Sequence, residues 1–146
     1  MGLRSLLSGT DTVALVVDGP NVLRDEFDVD LDDVRDAATA VGTPVVTWLY
    51  LDEHAPSGLI QAAEARGYDV RITSGDVDVK LAVDATELVV EDPPDVLAIA
   101  SRDTDFKPLV ELANRRGIET LAIAPGTHGR SDALRNAAHD AVVLDE

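Results

Sequence analysis

Val13-Ala-Leu-Val-Val17 runs straight into Asp18-Gly19-Pro20-Asn21, and Val96-Leu-Ala-Ile-Ala100 runs into Ser101-Arg102-Asp103-Thr104-Asp105. Each apolar run is unbroken by polar residues, the pattern of a strand buried on both faces. Each ends in short polar side chains. In an open α/β sheet, ligands bind beyond the carboxyl ends of the strands. Three carboxylates and an amide aimed at that edge suit a hard divalent cation. The two stretches together point to metal-assisted chemistry on a phosphate.

Working outward, apolar strand patterns alternate with helical ones. Strands are predicted over 12–17, 44–51, 69–73, 96–100 and 119–124, with a last apolar run at 142–144. Helices are predicted over 31–41, 57–66, 77–90, 105–116 and 131–138. Asp30 is placed to cap the first, Gly67 and Gly117 to end the second and fourth, and Pro93-Pro94 to stop the third. Strands alternating with helices imply right-handed βαβ units. The expected architecture is a three-layer α/β/α domain with a mostly parallel sheet of five or six strands. It spans residues 1–146 as one domain, with its core at about 12–144.

Composition narrows the chemistry. The chain lacks cysteine, which excludes disulfides and thiolate metal sites. His54, His128 and His139 lack zinc-finger spacing. Of 146 residues 28 are acidic and 12 basic, a net charge of −16, and the acids are dispersed rather than gathered in a tail. Dispersed acid with only two lysines, Lys80 and Lys107, resembles proteins of salt-loving archaea, where salt screens the self-repulsion. A nucleic-acid site in such a chain must rely on metal ions and a few arginines. No apolar run approaches the ~20 residues of a membrane span, and no signal-peptide pattern opens the chain. A cytoplasmic protein with no membrane partner is expected.

Three junctions carry the candidate site. Asp18 ends the first strand, and the turn at Gly19-Pro20 holds Asn21 near it. Asp103 and Asp105 follow the fourth strand. Asp76 and Asp78 open the third helix, and Asp84 lies six residues beyond Asp78 on a different face. Each also has a plain structural explanation: a turn for Asp18, an N-cap for Asp76, and an N-cap of the fourth helix for Asp105. Capping does not account for Asp103. The shared-site reading requires the first and fourth strands to be neighbours. Clustered carboxylates repel, so a cation is needed to settle them, and oxygen-only donors select Mg²⁺ or Mn²⁺ over zinc.

Three ordered segments, Val-Val-Asp-Gly-Pro-Asn-Val (16–22), Gly-Asp-Val-Asp-Val-Lys-Leu-Ala-Val-Asp-Ala (75–85) and Ser-Arg-Asp-Thr-Asp-Phe-Lys-Pro-Leu (101–109), resemble the NYN family. That family is a branch of the PIN-like nuclease superfamily. Residues 131–138 resemble its C-terminal segment, and the likeness is greatest to an archaeal group of the family. The resemblance implies a Rossmann-like PIN fold and a metal-dependent ribonuclease that cuts RNA internally, with DNA left open as substrate. It carries metal-binding, catalytic roles to Asp18, Asp78, Asp103 and Asp105, and a substrate role to Asn21. Asp76 and Asp84 are further metal candidates. Ser101 is a candidate for positioning water, and Arg102 and Arg130 for contacting phosphate, with Arg24 and Arg135 as further backbone contacts. The chain departs from the family at Gly75-Asp76, where many members have Lys-Gly, and at His139, where a family aspartate stands. A homodimer is compatible with the sequence, although no exposed stripe marks an interface.

Two other functions compete. One is a PIN-like module that binds nucleic acid or protein without cutting. The other is a haloacid-dehalogenase-type phosphatase with Asp18 as nucleophile, but that chemistry wants a second aspartate where Pro20 stands. Neither a P-loop nor a G-x-G-x-x-G motif is present.

Overall fold

Val13 to Asp18 are all buried in strand β1 (Thr12–Asp18). A strand points successive side chains to opposite faces, so a run buried throughout needs cover on both. The computed structural model, which describes residues 11–24, 29–126 and 132–145, supplies that cover. Val13, Leu15 and Val17 enter one apolar cluster, and Ala14 and Val16 enter the other.

After β1 come α1 (Gly19–Val22), α2 (Leu31–Thr39), β2 (Thr43–Asp52), α3 (Ser57–Ala65), β3 (Asp69–Thr73) and α4 (Val77–Glu91). Then follow β4 (Val96–Ala100), a 3₁₀ turn (Thr104–Phe106), α5 (Lys107–Arg115), β5 (Glu119–Gly126), α6 (Asp132–Ala137) and β6 (Asp140–Asp145). The six strands are parallel throughout, in the order β3-β2-β1-β4-β5-β6. Helices α2 and α3 cover one face, with Leu31, Val34, Ala38 and Ala63 buried there. Helices α4, α5 and α6 cover the other, through Leu81, Ala85, Val89, Leu109, Val110 and Leu134. This is the expected three-layer α/β/α fold. The strand order reverses between β1 and β4, so the switch point of the sheet lies where the sequence placed the site.

Local signals set the boundaries. Asp30 and Asp33 form a reciprocal capping box at the start of α2, with bonds of 2.9 and 3.0 Å. Gly67 (φ +89°) and Gly117 (φ +79°) end α3 and α5 in the left-handed region that glycine adopts without strain. The amide after each glycine bonds the carbonyl five residues back, Tyr68 to Ala63 and Ile118 to Ala113, which completes a Schellman motif. Several boundaries differ from expectation by one or two residues, and two of the differences have a plain physical cause. The helix expected from 105 is a 3₁₀ turn followed by α5, because Pro108 in the first turn has no N–H to give to a longer helix. The run expected at 142–144 is extended by pairing with β5 into a six-residue strand.

Gly19 sits where β1 passes into α1. A Cβ there would meet the Tyr50 carbonyl oxygen and Leu51 Cδ2, each at 2.5 Å. The carbonyl belongs to the sheet and cannot move aside. Gly19→Ala should therefore cost about 1–3 kcal/mol, read as a lower denaturation midpoint with unchanged m value.

Candidate metal centre

The β1–β4 register pairs Val17 with Ala100, which leaves Asp18 and Ser101 as the next residues along. Ser101 Oγ donates to Asp18 Oδ2 at 3.2 Å. Asn21 lies one turn on, carried back by α1, and its Nδ2 donates to the same oxygen at 2.6 Å. The sharp turn expected at Gly19-Pro20 is thus a short helix with proline in its first turn, and it does hold Asn21 beside Asp18. Asn21 Oδ1 accepts in turn from Arg102 Nε at 3.1 Å. Asp18 is 1% exposed. Burial raises its pKa above the ordinary carboxylate value, the Asn21 and Ser101 hydrogen bonds pull the other way, and the charge of Asp103 adds to the rise.

Across the switch point, Ser101 Oγ accepts from the Asp103 amide at 3.0 Å. Asp103 Oδ1 accepts from the Asp105 amide at 2.9 Å. Asp103 is therefore the cap of the 3₁₀ turn, a role the sequence had offered to Asp105. Asp78 arrives from the first turn of α4, with Oδ1 accepting its neighbour Val79's amide at 2.9 Å. Asp78, Asp103 and Asp105 each offer a carboxylate oxygen, and these oxygens lie within 4.8 Å of one another. Asp18, Asn21, Asp76, Asp78 and Asp103 line a cleft of about 340 Å³. Asp76 stands at the N-cap position of α4, but its side chain makes no capping bond and it faces the cleft instead.

Asp52 lines the same cleft and was not anticipated. The signal was there, since β2 ends in an acid as β1 does. The strand was expected to stop at Leu51, one residue short of it. The donor set around the cleft is oxygen alone, and one carboxylate is buried beside others. That chemistry fits Mg²⁺ or Mn²⁺.

Residues 12–145 match the family model of the NYN domain. The chain belongs to the NYN domain family. That places it among PIN-like nuclease domains. An uncharacterised protein of the archaeon Methanocaldococcus jannaschii is 41% identical over 138 residues, which cover 94% of this chain and 57% of that protein. The chain thus spans a little over half the length of this curated relative. A Vibrio parahaemolyticus protein of unknown function has the same fold, with a TM-score of 0.77, 22% identity and 94% of each chain covered.

Other residues singled out in the sequence of this NYN domain lie elsewhere. Asp84 is not in the acidic cluster. Its Oδ2 accepts from the Tyr50 hydroxyl at 2.8 Å and Arg71 Nη1 at 3.1 Å, and Lys80 Nζ lies 3.2 Å from Oδ1. Burial works to raise its pKa, and the Tyr50, Lys80 and Arg71 contacts outweigh that, leaving it lowered. His139 bonds both the amide and the hydroxyl of Thr120 at the amino end of β5, the opposite edge of the sheet from the cleft. Arg24 is exposed and lines a separate cavity beside α2 and α3, and Arg135 lies on α6. Arg130 falls outside the described residues. No described helix is long and apolar enough to cross a membrane.

The two carboxylates have opposite pH signatures. Asp18, with its pKa raised, favours the folded state when protonated, and that advantage fades as pH rises above the ordinary value of 3.8. In metal-free protein at neutral pH, Asp18→Asn should therefore raise the melting temperature, by about 2–4 °C. Asp84, with its pKa lowered, contributes stability above 3.8 that is lost on acidification. Asp84→Asn should cost about 1.5–3 kcal/mol at neutral pH, and that cost should shrink as pH falls below 3.8 towards the lowered pKa of the folded state. Thermal melts of both variants across pH check both signs.

Proposed function

We propose that this domain is a Mg²⁺- or Mn²⁺-dependent ribonuclease that hydrolyses RNA phosphodiester bonds at the β1–β4 switch point. The observation that carries this reading is the convergence of Asp78, Asp103 and Asp105, from two separate strand-to-helix junctions, beside buried Asp18. Asp18, Asp78, Asp103 and Asp105 are the residues that would hold the metal, with Asp76 and Asp52 on the wall of the cleft. A divalent ion bound there supplies an activated water and offsets the charge developing on the phosphate.

The protein's own groups do the rest. Asn21 and Ser101 fix the rotamer of Asp18 through one shared oxygen, Oδ2, so Oδ1 is the oxygen that would serve a bound metal. Ser101 also holds the Asp103 amide, so one hydroxyl ties both halves of the acidic cluster together. Arg102, which donates to Asn21 on the cleft wall, suits a nonbridging phosphate oxygen. The dispersed acid fits work at high salt, where screening lets a polyanion approach an acidic surface.

A second reading, binding without cleavage, has one observation in its favour: among the described residues lining the cleft there is neither Lys nor Arg. One assay separates the two. Labelled RNA and DNA are incubated in high salt with Mn²⁺, with Mg²⁺ and with chelator. The nuclease reading expects cleavage of RNA that chelator abolishes, and a loss of at least about 100-fold in Asp103→Asn and Asp78→Asn. Cleavage that survives both substitutions would sink the assignment of the site. RNA binding with no cleavage of either polymer would favour the second reading. Phosphate release from small phosphomonoesters would point to phosphatase chemistry instead.

A further inference from the structure

Asp84 is held too firmly to be idle. It is six residues from Asp78, a rise of about 9 Å along α4 and about 120° round the helix, so the two cannot share an ion. Both its oxygens are engaged by cations or a phenol: Oδ2 by Tyr50 and Arg71, Oδ1 by Lys80. Its side chain is 13% exposed. Tyr50 is fully buried, and Arg71 is itself braced, with its guanidinium 3.9 Å above the Trp48 ring and 3.4 Å from Asp69.

The strand register shows what this assembly is attached to. Asp18 pairs with Tyr50 across β1 and β2, and Tyr50 pairs with Arg71 across β2 and β3. Residues paired in a sheet project to the same face. Asp18, Tyr50 and Arg71 therefore form one rung on the face that α4 covers. Asp18 serves the cleft, and its two rung-mates grip the helix that brings Asp78 to the same cleft.

The rest of the α4 contact is apolar. Leu81, Ala85 and Val89 are buried four residues apart, and Val77, Ala82 and Leu88 pack against the same cluster. Burial of that kind is non-directional. Directed bonds are needed to fix a helix to the tolerance of about 0.5 Å that a ligand constellation requires.

We propose that Tyr50, Asp84 and Arg71 act as positioning residues: they lock α4 to the Asp18 rung and so set where Asp78 stands against Asp103 and Asp105. The effect on ligand binding rests on the metal-centre reading; the effect on α4 itself does not. None of the three clamp residues belongs to the acidic cluster or lines the cleft.

The test uses the full chain, calorimetric titration with Mn²⁺, and amide hydrogen exchange over residues 77–81, with and without the metal. Three variants are compared: Asp84→Asn, the milder Tyr50→Phe, and Tyr68→Phe. The last removes a buried hydroxyl that donates to the Leu31 carbonyl at 2.7 Å on the opposite layer, so it controls for general softening. Asp84→Asn should weaken Mn²⁺ binding about 10–100-fold and Tyr50→Phe about tenfold, and both should speed exchange in the first turns of α4. Tyr68→Phe should lower the melting temperature yet leave Mn²⁺ affinity and α4 exchange unchanged. Unaltered α4 exchange in both clamp variants overturns the proposal, as does an equal loss of affinity in Tyr68→Phe. Faster α4 exchange in a protein that binds no Mn²⁺ even as wild type would uphold the clamp and overturn the metal centre alone.

Discussion

The parallel pairing of β1 with β4 is the interaction on which the rest of the molecule depends. It brings together two stretches 83 residues apart. Both ends of the pair are fastened by side chains. At the amino end, Thr12 and Asp95 bond reciprocally: the Thr12 amide donates to the Asp95 carboxylate at 2.8 Å, and the Asp95 amide donates to the Thr12 hydroxyl at 3.0 Å. At the carboxyl end, Ser101 donates to Asp18. A slip of one residue would turn every buried side chain of either strand to the wrong face. Hydrophobic pattern and polar fastenings therefore specify the same register, and that register puts Asp18 and Asp103 in one cleft.

The fold treats its aspartates in two ways. Asp84 is surrounded by partners that favour its charge, so it helps hold a helix to the sheet. Asp18 is buried with too little compensation, beside a second carboxylate. A carboxylate held at a cost to stability beside the switch point of the sheet is a candidate for function. The contrast separates structural acids from candidate functional ones in a chain where composition alone cannot.

Much of this was legible in the sequence because the decisive signals are local. Unbroken apolar runs marked the buried strands, glycines marked the ends of α3 and α5, and polar clusters marked the ends of β1 and β4. The neighbouring of β1 and β4 followed from requiring the clusters to meet. What escaped depends on partners far away in the chain. Asp84 looked like one more acid near a site until Tyr50 and Arg71, from β2 and β3, were seen to claim it. Asp103 rather than Asp105 caps the turn after β4, a choice decided by where Ser101 holds the Asp103 amide. Asp52 was missed through a boundary misplaced by one residue. In a chain with 28 acids, an aspartate carries little information until its neighbours are known.

The strand order also has a kinetic meaning. β1, β2 and β3 pair in sequence and need only short closures, so that half of the sheet can form from nearby chain. β4 must then return across the whole of α4 to dock on the far side of β1, a non-local step of the kind that slows folding. Asp18 meets Ser101 and Asp103 only through that pairing, which closes 83 residues of chain. Contact order thus makes the union of Asp18 with the other acids, rather than the assembly of Asp78, Asp103 and Asp105 among themselves, the step expected to be slow.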